Sequence, residues 1–227
     1  MALIVKGHPV EDTDNVISLL DDRDLSWHPG DWGTDKHEPI TQIVGHWTAA
    51  EHEPEKVVLN MKRRKGRNGR PLRVAIPFLI GKPTEHGKMA PIYQSADPVL
   101  TRSVHVGTRV VNRQSIGVEI VNAADPDLSW AKPDERGLIK VTQLGREREW
   151  TNFYPEQIEA WIWLCDTLTG VLGIDRNTFQ GDRRMSIAEL RKYRGVLEHW
   201  NVSGTRKLDA GGILTDSLAD EGYKVIL

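Results

Sequence analysis

Apolar positions in this chain fall into short β-like runs and one long helical stripe. Residues 2–5 read as a short strand. Residues 40–47 form a β-like run that ends in the small residues Thr48, Ala49 and Ala50, and residues 72–81 are strongly β-like. Pro77 cannot donate to a ladder, so it must sit at an edge or a bulge. Residues 90–95 pair with that run through a turn at 82–88, and residues 103–106 and 115–121 predict two further strands. The last is the most apolar of the set, yet it contains Glu119. Helical spacing appears first in a small patch, Val16, Leu19 and Leu20, within the acidic segment 11–25. It returns after Pro54, a residue suited to a first helical turn, with Val57, Val58 and Met61 as the buried stripe. Lys62 to Lys65 place positive charge at that helix's C-terminus. The clearest helix opens at Pro155, with Ile158, Trp161, Ile162, Cys165, Leu168 and Leu172 at helical spacing and Gly170 and Gly173 marking its end. A shorter one starts from the N-cap Ser186 and runs through Tyr193, and Gly195-Val196-Leu197 then leads into His199.

Strands and helices mixed on one core predict an α/β fold, a single domain with a central mixed β-sheet flanked by helices. The 227 residues suffice for one sizeable domain, and 39% hydrophobic with 27% charged residues is ordinary for a soluble globular protein. Residues 26–39 read as an ordered loop, and the polar stretch 123–151 as an insertion over the surface. No internal repeat or low-complexity linker is present, so no separate tethered binding module is expected. A net charge of −2 argues against an overall nucleic-acid binder. The single cysteine, Cys165, lies in the helical stripe and reads as an inert core residue, which fits a reducing compartment. The apolar start is too short for a signal peptide and no run is long enough to span a membrane. Cytoplasmic synthesis without membrane insertion is therefore the expectation.

The chemistry concentrates in residues 199–209, which bring an imidazole (His199), an ammonium (Lys207) and a carboxylate (Asp209) into one short segment. Asn201, Ser203 and Gly204 favour turns, so this stretch reads as a loop after a strand. Imidazole plus carboxylate suits zinc better than magnesium or calcium, which prefer all-oxygen shells. A third ligand and a base must come from elsewhere. His46 stands at the C-terminal end of its strand, where open α/β sheets tend to place their sites. Glu119 has two readings: a solvent-facing strand residue, since alternation puts Gly117, Glu119 and Val121 on one side, or a desolvated carboxylate held for chemistry. The basic run 62–73 reads as a solvated helix end and turn, with an anionic polymer as its alternative partner. His8, His28, His37, His52 and His86 scatter without ligand spacing. Trp47 and Trp200 stand directly beside His46 and His199, where their rings could line a cleft.

Four blocks carry a family resemblance: Ile43-Val44-Gly45-His46-Trp47-Thr48-Ala49, Ser103-Val104-His105-Val106-Gly107, Ser115-Ile116-Gly117-Val118-Glu119, and His199 through Arg206-Lys207-Leu208-Asp209. In order and spacing they resemble the N-acetylmuramoyl-L-alanine amidase type 2 family, which includes phage lysozyme-type amidases, bacterial cytoplasmic amidases and peptidoglycan-recognition proteins. The resemblance covers about residues 40–214, leaving residues 1–39 as an N-terminal extension. It implies one Zn2+ held by His46, His199 and Asp209, with Glu119 as catalytic base and Lys207 stabilising an oxyanion. His105, Trp47 and Trp200 would lie near the substrate. Leu208 and Ala210 stand where the family more often has Thr and Pro, and Pro77 where relatives often carry a histidine. The implied activity is hydrolysis of the amide between N-acetylmuramic acid and L-alanine in bacterial peptidoglycan.

With no export leader expected, the leading role is a monomeric phage or prophage endolysin that reaches the cell wall after release by a separate lysis factor. Three alternatives stay open: a cytoplasmic amidase recycling soluble anhydro-muropeptides, a non-catalytic peptidoglycan-recognition module, and a nucleic-acid binder acting through the basic run. Retention of all five family site residues disfavours the non-catalytic module, and the net charge disfavours nucleic acid.

Overall fold

The computed structural model describes residues 1–28, 38–48, 52–65, 68–69, 74–122, 136–202, 209 and 211–227. In chain order the elements are β1 (Ala2–Val5), β2 (His8–Asp12), β3 (Val16–Ser18), β4 (Gln42–Trp47), α1 (Pro54–Arg63), β5 (Phe78–Ile80) and β6 (Ile92–Gln94). They continue with α2 (Arg109–Gln114), β7 (Ser115–Ile120), β8 (Leu138–Gln143), β9 (Arg146–Thr151), α3 (Pro155–Leu172) and β10 (Asn177–Phe179). The chain closes with α4 (Ile187–Lys192), β11 (Gly195–Glu198), α5 (His199–Val202), α6 (Ile213–Asp220) and β12 (Lys224–Ile226). Eight strands form one mixed sheet in the order β12-β10-β11-β4-β7-β5-β6-β3, and helices flank it.

At the centre, β11, β4, β7 and β5 are all parallel, and every residue of β4 and β7 is buried. This is the pattern of interior strands covered on both faces. On one face Ile43, Ile116, Val118 and Ile120 pack against Ala160, Trp161, Leu164 and Leu168 of α3. Trp161 is fully buried, and its indole N–H donates to the Leu214 carbonyl at 3.0 Å. Gly45 lets that ring and Leu214 close onto β4, since a Cβ there would lie 2.7 Å from Leu214 Cδ1 and 3.1 Å from Trp161 Cη2. Helix α3 begins at Pro155 and stops at Gly173, whose φ of 63° is the left-handed conformation that a helix C-cap favours. Gln157, in its first turn, donates to the carbonyls of Gly81 and Val121 and so ties the helix to the sheet.

The opposite face carries two separate apolar clusters. One joins Val44 and Leu197 to Val111, Leu190 and Tyr193; the other joins Leu79 and Val121 to Val57 and Val58 of α1. The side chains that β7 presents on this face are Ser115, Gly117 and Glu119, in register with Gln42, Val44 and His46. With no large apolar side chain from β7 to bridge the two clusters, a cleft remains at the C-terminal ends of the parallel strands, the usual ligand position in open α/β sheets.

Several expectations are corrected. Residues 16–18 are a strand, not a helical patch, because their backbone pairs in parallel with β6, Val16 opposite Ile92. Residues 103–106 make only one bridge, Ala75 to Val104, since the N–H groups of His105 and Val106 both donate to Asn112 Oδ1 at 3.0 Å. Within 72–81 the ladder is confined to β5, and residues 70–73 lie outside the described residues. The described part of the 123–151 stretch holds a β8–β9 hairpin, joined to the body where Trp150 packs edge-on to Trp47 at 4.9 Å. His199–Val202 is one helical turn rather than loop. Helices α2 and α6 and strands β10 and β12 are not foreshadowed by periodicity, because each is too short to repeat a pattern.

Candidate metal centre

Register sets the site. Glu198 is opposite Gly45 on β11 and β4, so His199, one step on, reaches the level of His46. Their Nδ1 atoms lie 2.9 Å apart. Asp209 is drawn in through its backbone, because the Trp200 N–H donates to the Asp209 carbonyl at 2.9 Å. Asp209 Oδ2 then lies 2.9 Å from His199 Nδ1 and 3.4 Å from His46 Nδ1. All three residues are buried. Burial alone would raise the Asp209 carboxyl, but its contacts with the two imidazoles, His199 first, outweigh burial and hold the group well below the usual carboxylate range.

These donors fit a zinc ion. A tetrahedral zinc with N and O ligands holds its donors roughly 3.3 Å apart. The three atoms here are within a few tenths of an ångström of that spacing, and together they could hold one metal ion. One shared proton cannot bridge all three contacts, whereas a divalent cation satisfies them at once. Two imidazoles and one carboxylate form a donor set typical of catalytic zinc, with one position left open.

Glu119 pairs directly with His46 on the neighbouring strand and is buried at the cleft. The alternation read from sequence holds, but the face it selects is the cleft and not solvent. A volume of about 460 Å³ opens over His46, His199, Asp209, Glu119 and His105, walled by Val57, Asn60, Met61 and Arg64 from the α1 side. Trp47 also lines it. His105 Nδ1 is 2.8 Å from His46 Nε2, and His105 Nε2 is 2.8 Å from Ser115 Oγ. Burial, then the neighbouring imidazoles, push the His105 pKa well below its ordinary value.

The structure thus brings together His46, His199, Asp209, Glu119, His105 and Trp47. Trp200 does not join the cleft lining. It is buried, and its indole N–H donates to Glu198 Oε2 at 3.0 Å. Lys207 lies outside the described residues. The basic run contributes Lys62 to structure: its ammonium donates to the carbonyls of Arg23 and Ser26.

Sequence reasoning missed Glu198. This fully buried carboxylate accepts from the N–H groups of Gly212, Leu214 and Thr215, from the Thr215 hydroxyl and from the Trp200 indole. Burial pushes its pKa up to about 7 against those donors. It stitches the end of β11 to the start of α6 and so brackets the segment that carries Asp209. Its signal in the sequence is a glutamate closing the apolar run Gly195-Val196-Leu197.

A family model described as N-acetylmuramoyl-L-alanine amidase (Amidase_2) matches residues 36–212. No curated protein sequence matches the chain. Among solved structures, it is similar to the N-acetylmuramyl-L-alanine amidase AmiD from E. coli, in complex with the substrate anhydro-N-acetylmuramic acid-L-Ala-D-γ-Glu-L-Lys. The TM-score is 0.52 at 21% identity, over 85% of this chain and 61% of that one. It is also similar to AmpDH3 from Pseudomonas aeruginosa, with TM-score 0.52 at 18% identity over 88% of this chain and 67% of that one. A complex of AmpDH3 with anhydromuramic pentapeptide gives TM-score 0.51 at 19% identity, with the same coverage. The chain therefore spans about three fifths of AmiD's length, and at these identities the likeness is one of fold.

Proposed function

The chain belongs to the N-acetylmuramoyl-L-alanine amidase family, and from that premise we propose that it is a zinc-dependent hydrolase of the amide joining the lactyl group of N-acetylmuramic acid to L-alanine of a peptidoglycan stem peptide. The observation that carries this reading is the convergence of His46 Nδ1, His199 Nδ1 and Asp209 Oδ2 on the cleft beside the buried Glu119.

His46, His199 and Asp209 would hold the ion, and zinc there would supply Lewis acidity and bring a water's pKa towards neutrality. Glu119, on a rigid interior strand, takes the proton of the attacking water and delivers it to the leaving amine nitrogen, a role worth about 10²–10⁴-fold. Lys207, assigned from its position in the family pattern, stabilises the negative charge that develops on the carbonyl oxygen. The cleft's apolar wall from Val57 and Met61 limits water around the reacting amide.

Two roles share this chemistry. AmiD and AmpDH3 are each seen with an anhydromuramic peptide, a ligand consistent with soluble muropeptides as substrates. An endolysin would instead act on polymer. The test is release of peptides with a free L-alanine amino terminus from intact peptidoglycan and from soluble anhydro-muropeptide, with and without chelator. Cleavage of fragments alone supports recycling, and cleavage of polymer supports lysis. Zinc bound at one equivalent with neither substrate cleaved would overturn the hydrolase reading.

A further inference from the structure

We propose that His105 and Ser115 are positioning residues that set the tautomer of His46, so that His46 presents the lone pair of Nδ1 to the metal before any metal arrives. The inference rests on the zinc reading above.

The direction of each proton follows from the far end of the chain of contacts. Ser115 Oγ lies 2.7 Å from the Val111 carbonyl, which can only accept, so the hydroxyl hydrogen is committed there. Ser115 Oγ must then accept in its 2.8 Å contact with His105, and His105 Nε2 carries the hydrogen. A neutral imidazole with hydrogen on Nε2 has its lone pair on Nδ1. His105 Nδ1 therefore accepts from His46 Nε2–H at 2.8 Å, and the lone pair of His46 falls on Nδ1. That is the atom facing His199 Nδ1 and Asp209 Oδ2.

The surroundings hold this arrangement in place. Asn112 accepts from the backbone N–H groups of His105 and Val106 and donates back to the Val106 carbonyl at 2.8 Å. Gly117 gives the His105 ring its seat, since a Cβ there would lie 2.7 Å from His105 Cγ. Hydrogen-bond partners behind a metal-bound histidine fix its tautomer and ring angle, and losing one typically costs 10–100-fold in metal affinity.

The test combines zinc affinity, measured by competition with a chromophoric chelator, with ¹⁵N–¹H imidazole spectra of the full chain at pH 8. In the wild type, with and without zinc, His105 should appear as the Nε2–H form. Ser115→Ala and His105→Phe should each weaken zinc binding by about 10–100-fold, and Ser115→Ala should lose the single His105 tautomer. Ser115→Thr keeps the hydroxyl and should restore both. Equal zinc affinity in wild type, Ser115→Ala and His105→Phe overturns the inference, as does an Nδ1–H tautomer for His105 in the wild type, which is readable even if a variant fails to fold. A wild type that binds no zinc overturns the metal reading itself, a separate and recognisable outcome.

Discussion

His46 and Glu119 are direct partners across the parallel β4–β7 ladder, so their side chains leave the sheet on the same face and at the same level. A ligand and a base placed this way depend on two interior strands rather than on loops, which limits their relative movement. Glu119→Gln should therefore bind zinc as the wild type does and lose about 10²–10⁴-fold in kcat. Zinc stoichiometry and single-turnover cleavage of an anhydro-muropeptide check this together. A variant retaining more than a tenth of wild-type kcat would remove Glu119 from the proton transfer.

Removing a ligand should act on stability as well as activity. A ligand present at 100 times its Kd stabilises the folded state by about 2.7 kcal/mol. Wild-type protein should show an increment of that order on adding zinc and lose it on chelation. In Asp209→Ala and His46→Ala the increment should vanish, and elemental analysis should find well under one zinc per chain. An undiminished zinc increment in Asp209→Ala would contradict the ligand set.

Two glycines carry close approaches that an added methyl group would break. Gly45→Ala drives a Cβ against Leu214 and Trp161, and overpacking of this kind costs about 1–3 kcal/mol. Gly117→Ala presses on the His105 ring instead, so it should reduce zinc affinity in addition to stability. Urea unfolding of the zinc-free proteins, set beside chelator competition, separates the two effects. Gly45→Ala with wild-type stability would show that the α3 face is looser than its packing indicates.

Glu198→Ala leaves the N–H groups of Gly212, Leu214 and Thr215 and the Trp200 indole without their carboxylate. Unmet buried donors cost about 1–3 kcal/mol each. The expected loss is at least about 3 kcal/mol, because some of the donors will find water. A midpoint shift in urea corresponding to under 1 kcal/mol would mean that the α6 junction relaxes freely.

Acid stability has a defined contributor at α4. The Ser186 backbone N–H, then Arg183, lowers the pKa of Glu189 from 4.5 to about 2. Because its folded pKa lies below the ordinary one, its contribution is fully present above about pH 4.5 and is lost as pH falls towards 2. Glu189→Gln should flatten the dependence of Tm on pH in that window, by lowering Tm at neutral pH and leaving it unchanged near pH 2. Ser186→Ala, which removes the hydroxyl cap on the Glu189 N–H, should cost about 1 kcal/mol. An unchanged acid slope in Glu189→Gln would assign the loss to other carboxylates.

Much of the fold was legible in local pattern. Proline at the helix starts, the Ser186 cap and the Ile158–Leu172 stripe are determined within a few residues, and β4 and β7 announce themselves as apolar runs. Residues 16–18 and 103–106 were misread because strand pairing is a property of the neighbour. Val16 becomes a strand by lying beside Ile92, and His105 leaves the ladder because Asn112 takes its N–H.

For the site, the sequence by itself determined the inventory: His46, His105, Glu119, His199 and Asp209, ordered and spaced as in the amidase family. Their convergence was decided by register, Gly45 opposite Glu198 and His46 opposite Glu119, which no local window contains. Tertiary structure also settled which face of β7 Glu119 occupies, since alternation defines two faces without saying which is covered. It sent the Trp200 indole to Glu198 and revealed that carboxylate as the clasp on α6. Hydrogen-bond partners far apart in the chain, such as Ser115 behind His105 behind His46, exist only once the sheet has brought them within 3 Å.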